Sequence, residues 1–218
     1  EPYIALARAS AVTSTIKLGT GITLVPERHP LLLAKEVAAL DLYSDGRFQF
    51  GIGTGWLKEE TEIFGGDFPR RWTQTREALD VMKRCWTEEE AEYHGKYYDF
   101  PPVRSFPKPV QKPYPPILVG GMAPNVLKRI VAHADGWLPN RVTPQEIENS
   151  RKELATLCAD VGRDPASIQI VIYGQEPDRA YFQSLVDAGA DSVVVKPEWV
   201  ETEAEMGEQL ERMAEAVL

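Results

Sequence analysis

Cysteine is scarce: the 218 residues hold only Cys85 and Cys158, neither with a CxxC neighbour. That excludes a disulfide framework and a cysteine zinc cluster, and two buried reduced thiols in helical patterns are expected. Histidine is as thin. His29, His94 and His133 are scattered, with no HExxH pair, so no metal site is expected. The reduced cysteines point to a cytoplasmic protein; no apolar run reaches transmembrane length and no signal peptide opens the sequence, so no membrane partner is expected. Basic clusters are missing too. The formal net charge is −9, which argues against a nucleic-acid partner. Much of the acid comes late, at Glu198, Glu201, Glu203, Glu205, Glu208, Glu211 and Glu215, and reads as a solvated helix face.

What is present is ordinary globular composition, 43% hydrophobic and 26% charged. One stretch organises the chain: Gly46-Arg47-Phe48-Gln49-Phe50-Gly51-Ile52-Gly53-Thr54-Gly55-Trp56. Asp45-Gly46 is a turn signal, and Arg47 to Ile52 has the length and apolar character of a buried strand. Alternating Gly51, Gly53 and Gly55 then imply a backbone approached closely at the strand's C-terminal end. A tight structural turn and a cofactor cradle both satisfy that pattern.

Before this stretch, a helix is expected over Pro2 to Ser14, with Ile4, Ala7, Ala11 and Val12 on one face. A strand is expected over Ile16 to Thr23, and a helix opens at Pro30, Pro being suited to the first turn. After it come a helix over about Pro69 to Thr87 and a hairpin over Glu92 to Phe100 around Gly95. Pro101 to Pro116 carries seven prolines, which exclude a helix or a central strand and point to an ordered surface excursion. Regular alternation resumes with a strand at Ile117–Val119, a helix opened by Pro124, and a strand at Gly136–Leu138. A capping box at Thr143 and Glu146 starts a helix through Ile147, Leu154, Leu157 and Val161. A strand at Ile168–Tyr173, a helix capped by Asp178, a strand at Ser192–Lys196 and a last helix boxed by Thr202 and Glu205 complete the pattern. Met206, Leu210, Met213 and Val217 form an apolar stripe on that last helix, expected to be core.

Strand then helix, repeated, means a parallel α/β fold. A doubly wound sheet and a (β/α)8 TIM barrel both fit. The glycine spacing at 51, 53 and 55 lacks the GxGxxG pattern of a dinucleotide-binding sheet. Barrels place their chemistry after the strands' C-terminal ends, where Gly21, Thr54 and Gly121 lie, so the barrel is preferred.

The pieces IKLGTGI at 16–22, RHPLLLAKEVAALD at 28–41, GRFQFGIGTGW at 46–56, PKPVQKPYPPILVGG at 107–121 and ADGWLP at 134–139 together resemble the bacterial luciferase-like monooxygenase superfamily. The likeness is greatest to its deazaflavin (coenzyme F420)-dependent oxidoreductases. The resemblance implies a single barrel domain over 1–218 with an excursion at about 88–116. By the same analogy the chain starts inside the family's second helix, apparently lacking the first two strands and first helix. It implies an enzyme that transfers a hydride between F420 and a small organic substrate, working as a homodimer. An FMN-dependent monooxygenase on the same fold is the alternative, and a non-catalytic structural or binding subunit is a third.

The resemblance also assigns cofactor-binding positions. Gly21-Ile22 falls where many members hold a non-proline cis peptide against the flavin face, with an ordinary glycine kink as the plain alternative. Thr54, Gly55 and Trp56 fall where backbone amides and a hydroxyl meet the cofactor. Trp56 stands where sugar-phosphate dehydrogenases of the family carry an acid, which argues against that substrate; it would wall the pocket or pack as core. Gly120, Gly121 and Met122 fall near the cofactor phosphate, at a turn whose amides and helix dipole suit an anion. His29 reads as a capping or loop group, Glu59 and Glu60 as solvated first-turn acids. No catalytic acid or base emerges.

Overall fold

The computed structural model describes residues 1–217. By internal contacts the chain falls into two units, Glu1–Ile117 and Leu118–Leu218.

The first unit opens with α1 (Pro2–Val12), where the Glu1 side chain caps the Ile4 amide. The helix is turned differently from its sequence pattern. Tyr3 and Ser10 are buried, whereas Ile4 and Val12 are 72% and 79% exposed. The cause is Tyr3: its hydroxyl bonds Thr23 Oγ1 at 2.9 Å and its ring packs on Phe48. The strand expected over Ile16 to Thr23 is two short pieces, β1 (Leu18–Gly19) and β2 (Thr23–Leu24). Both run parallel to β3 (Phe48–Gly53), with Leu18 opposite Phe48 and Thr23 opposite Ile52. Between them the Thr20 hydroxyl donates to the Gly51 carbonyl at 2.6 Å. That bond replaces a ladder contact and holds the interruption in place.

Helix α2 (Pro30–Tyr43) buries Leu33, Ala34, Val37 and Ala38, as its pattern predicts. A short α3 (Lys58–Ile63) follows β3, then α4 (Arg71–Thr87), which buries Leu79, Met82, Cys85 and Trp86. The Trp86 indole donates to the Ala34 carbonyl at 2.9 Å and ties α4 to α2. The expected hairpin is β4 (Ala91–His94) against β5 (Asp99–Val103), antiparallel. The buried Glu77 carboxylate of α4 accepts from the amides of Lys96 and Tyr97 and pins the hairpin turn. The proline-rich segment is fastened to the fully buried Asp41 of α2. Gln111 donates to that carboxylate from its backbone amide at 2.9 Å and from Nε2 at 2.7 Å.

In the second unit, β6 (Ile117–Gly120), β7 (Gly136–Leu138), β8 (Gln169–Gln175) and β9 (Ser192–Val195) pair in that order, all parallel. Between them run α5 (Val126–His133), α6 (Pro144–Ala159) and α7 (Arg179–Asp187), and α8 (Glu203–Val217) closes the unit. The Thr143–Glu146 box and the Asp178 cap form as the sequence predicts. Arg151 of α6 gathers the carbonyls of Ile168 and Gly189 and the Asp191 carboxylate.

Three sequence expectations are corrected in this unit. Pro124 does not open α5: it sits in a turn closed by the Val126 amide on the Ala123 carbonyl, and the helix begins at Val126. Val161 is exposed because α6 ends at Ala159, whereas Cys158 is buried, as expected of it. The stripe on α8 is not core. Gln209 is its buried residue, Leu210 is exposed and Met206, Met213 and Val217 are half-buried. Docked on α7, α8 is rotated so that the stripe partly faces solvent.

Candidate functional site

In the first unit, parallel pairing carries the C-terminal ends of β2 and β3 to one edge. The Gly21–Ile22 peptide bond, just before β2, is cis. Ile22 lies across Gly53: a Cβ added there would sit 1.8 Å from Ile22 Cδ1. Gly53 therefore lets the Ile22 side chain settle over the end of β3. Thr54 and Gly55 follow. Gly55 has φ +78°, in the left-handed region that suits glycine, and a Cβ added there would lie 2.9 Å from Thr61 Oγ1. Among the described residues, the half-buried Thr54 hydroxyl has no hydrogen-bond partner. Trp56 is 83% exposed, so it is not a core aromatic. Ile22, Thr54, Gly55 and Trp56 thus gather at one strand edge.

A cleft of about 360 Å³ opens there, lined by Pro2, Ile22, Thr23, Leu24, Glu27, Arg28 and Phe64. Its two charged groups were not singled out from sequence. Arg28 bonds the Glu1 carboxylate and reaches Glu36 at 3.5 Å. Glu27 lies 3.4 Å from Thr61 Oγ1. Burial, followed by the nearby negative charge of Glu60, pushes the Glu27 carboxyl above its ordinary value. The signal was a Pro-Glu-Arg run closing a glycine-broken strand, which resembles any polar loop until the chain is folded.

In the second unit, Gly120, Gly121 and Met122 follow β6. Gly121 has φ +95°, and nothing stands within 4 Å of where its side chain would be. Its amide points to the Leu138 carbonyl at 3.4 Å, and its carbonyl accepts the Trp137 indole N–H at 2.8 Å. The turn is held by β7, with Met122 exposed.

His29 caps α2, its Nδ1 accepting the Leu31 amide at 3.3 Å, the capping role expected of it. His94 pairs with Asp99 on the exposed hairpin. Among the described residues no group of three or more His, Cys, Asp or Glu side chains could hold a metal, and no helix is long and apolar enough to cross a membrane.

The profile of the luciferase-like monooxygenases matches residues 1–175. An uncharacterized protein of Mycobacterium tuberculosis is 42% identical over 168 residues, 75% of this chain and 58% of the relative. The chain therefore spans little more than half the length of that relative. The oxygenase component of the flavin-dependent trigonelline monooxygenase of Acinetobacter baylyi is 35% identical over 127 residues, covering 57% of this chain and 35% of that protein. Among solved structures, the coenzyme F420-dependent tetrahydromethanopterin reductase of Methanopyrus kandleri superposes with a TM-score of 0.75 at 21% identity, over 89% of this chain and 81% of that one. The α/β fold, with parallel strands as in part of a luciferase-like TIM barrel, follows from that superposition.

Proposed function

This chain belongs to the luciferase-like monooxygenase family, and from that premise we propose that it is a deazaflavin (F420)-dependent oxidoreductase acting on a small organic substrate. The observation that carries the reading is the Thr54 hydroxyl. It is unpartnered at the C-terminal end of β3, beside a glycine in the left-handed region and the Ile22 side chain. Thr54 would donate to a ring carbonyl, Gly55 would let the ring approach the backbone, and Ile22 would support one face. The exposed Trp56 would cover the other side and exclude water. A bound deazaflavin supplies two-electron hydride chemistry; the protein orients it and shields it. The turn at Gly120, Gly121 and Met122 is proposed separately as a phosphate-binding turn, its space at Gly121 open to an anion.

A second reading, an FMN-dependent monooxygenase, is supported by the likeness to the trigonelline monooxygenase component. Homodimer formation also stands as a proposal.

The experiment is a fluorescence titration of the chain and of Thr54→Val with oxidised F420. Losing one hydrogen bond of about 1.4 kcal/mol weakens binding about tenfold. Unchanged affinity in a folded Thr54→Val chain would remove the hydroxyl, and the observation that carries the proposal, from the site.

A further inference from the structure

The cleft beside Ile22 holds a carboxyl group to which the sequence assigned no role. We infer that Glu27 is the proton-exchanging group of this cleft: it hands a proton to the oxygen of a small, mostly apolar ketone, or takes one from the matching alcohol. The inference rests on the hydride-transfer reading for its purpose, and on three observations of its own.

The first is the hydrogen-bond count around Thr61. Its hydroxyl has one proton and two acceptors in reach, the Leu57 carbonyl at 3.1 Å and Glu27 Oε1 at 3.4 Å. The shorter bond takes the larger share of that proton. Glu27 therefore receives only the longer, weaker share of the Thr61 donation, which does little to hold its charged form. The second is Gly55. Its missing side chain would lie 2.9 Å from Thr61 Oγ1 and 3.5 Å from Glu27 Oε1, so glycine keeps this corner clear. The third is the lining. Pro2, Ile22, Leu24 and Phe64 are apolar, and beside them the charged side chains are Glu27 and Arg28. Arg28 is already occupied by Glu1 and Glu36. That leaves Glu27 as the group able to change protonation state toward a ligand.

The charges facing Glu27 are Arg28 from its own turn and Glu60 from α3, with Glu1 and Glu36 acting through Arg28. Burial and Glu60 raise its pKa; the Thr61 contact and Arg28 oppose them with smaller effect. In alcohol oxidation the O–H bond breaks and its proton goes to the Glu27 carboxylate. The C–H electron pair leaves with its hydrogen as hydride to the two-electron acceptor of the proposed function, and the C=O bond forms. Glu27 then returns its proton to water.

The test needs no cofactor. The chain, labelled with ¹³C at the glutamate side-chain carboxyls, is titrated by NMR against pH with and without 2-butanone, with Glu27→Gln identifying the signal. The Glu27 carboxyl is expected to titrate above the ordinary glutamate value, and Glu60→Gln to lower its midpoint. Ketone binding is expected to weaken about tenfold once Glu27 loses its proton, the loss of one donated hydrogen bond. In Glu27→Gln, which keeps an N–H donor at every pH, that dependence disappears. Ketone binding that is absent, insensitive to pH, or equally sensitive in Glu27→Gln would overturn the inference. A chain that shows the expected ketone behaviour but binds no F420 would overturn the proposed function and leave Glu27 as a proton-exchanging binding group.

Discussion

Asp41 is the point where the proline-rich segment is fastened to the first unit, and its removal has a calculable cost. The carboxylate is fully buried and accepts two bonds from Gln111, whose Nε2 also donates to the Phe48 carbonyl at 2.7 Å. Hydrogen bonds to a charged acceptor contribute about 1.5–3 kcal/mol each. Asp41→Ala removes both and leaves the Gln111 amide without its acceptor, partly offset by no longer burying a charge. The net loss is about 3–5 kcal/mol. Asp41→Asn keeps the shape but turns an amide N–H₂ toward a donor, and loses about 2–3 kcal/mol. With a urea slope of about 1–3 kcal/mol/M, Asp41→Ala lowers the midpoint by about 1–5 M. Circular dichroism and tryptophan fluorescence would follow the transition. A double-mutant cycle with Gln111→Ala should return a coupling of at least about 1.5 kcal/mol. A midpoint shift below about 0.2 M, or additive single losses, would refute the reasoning.

Gly136→Ala places a Cβ 2.5 Å from Leu118 Cδ2 and 2.8 Å from the Gln169 carbonyl, inside the β6–β7–β8 ladder. It should cost about 1–3 kcal/mol in urea unfolding. Gly53→Ala meets mainly the far end of Ile22, a partly exposed side chain free to rotate. It should cost under about 1 kcal/mol yet displace Ile22 from the cleft, seen as weaker F420 binding in a stable protein. Glu146 has its carboxyl pKa lowered by the Thr143 amide and then by its hydroxyl. Because the folded-state value is depressed, its contribution is complete above the unfolded value and is lost as pH falls through the folded one. The urea-midpoint difference between the chain and Glu146→Gln should therefore be largest near pH 7 and shrink as pH drops below 4.5, the ordinary glutamate value. A difference independent of pH would contradict the capping account.

Elements with their own local signals were legible in the sequence. The Thr143–Glu146 box, the Asp178 cap, Pro30 at the start of α2 and the hairpin around Gly95 each satisfy backbone groups within a few residues, so a local pattern suffices. The faces of α1 and α8 were not legible, because tertiary partners decide them. A tyrosine hydroxyl seeking Thr23 turned α1, and Gln209 took the buried position on α8. The break between β1 and β2 was hidden for a similar reason: Thr20 finds the Gly51 carbonyl 31 residues away. Glycines 53 and 55 marked a strand end that the structure joins to Ile22. Glu27 was missed because its distinction lies in what folding sets beside it, Thr61, Glu60 and the open corner at Gly55.

The most direct test of the account is cofactor choice. Oxidised F420 and FMN would be titrated separately into this chain, and into one extended to the full length of the relatives it matches, with fluorescence as the readout. The account predicts saturable binding of F420 in preference to FMN, weakened about tenfold by Thr54→Val. Selective FMN binding would contradict the deazaflavin assignment in favour of the monooxygenase reading. A folded extended chain that bound neither would contradict the enzyme reading itself.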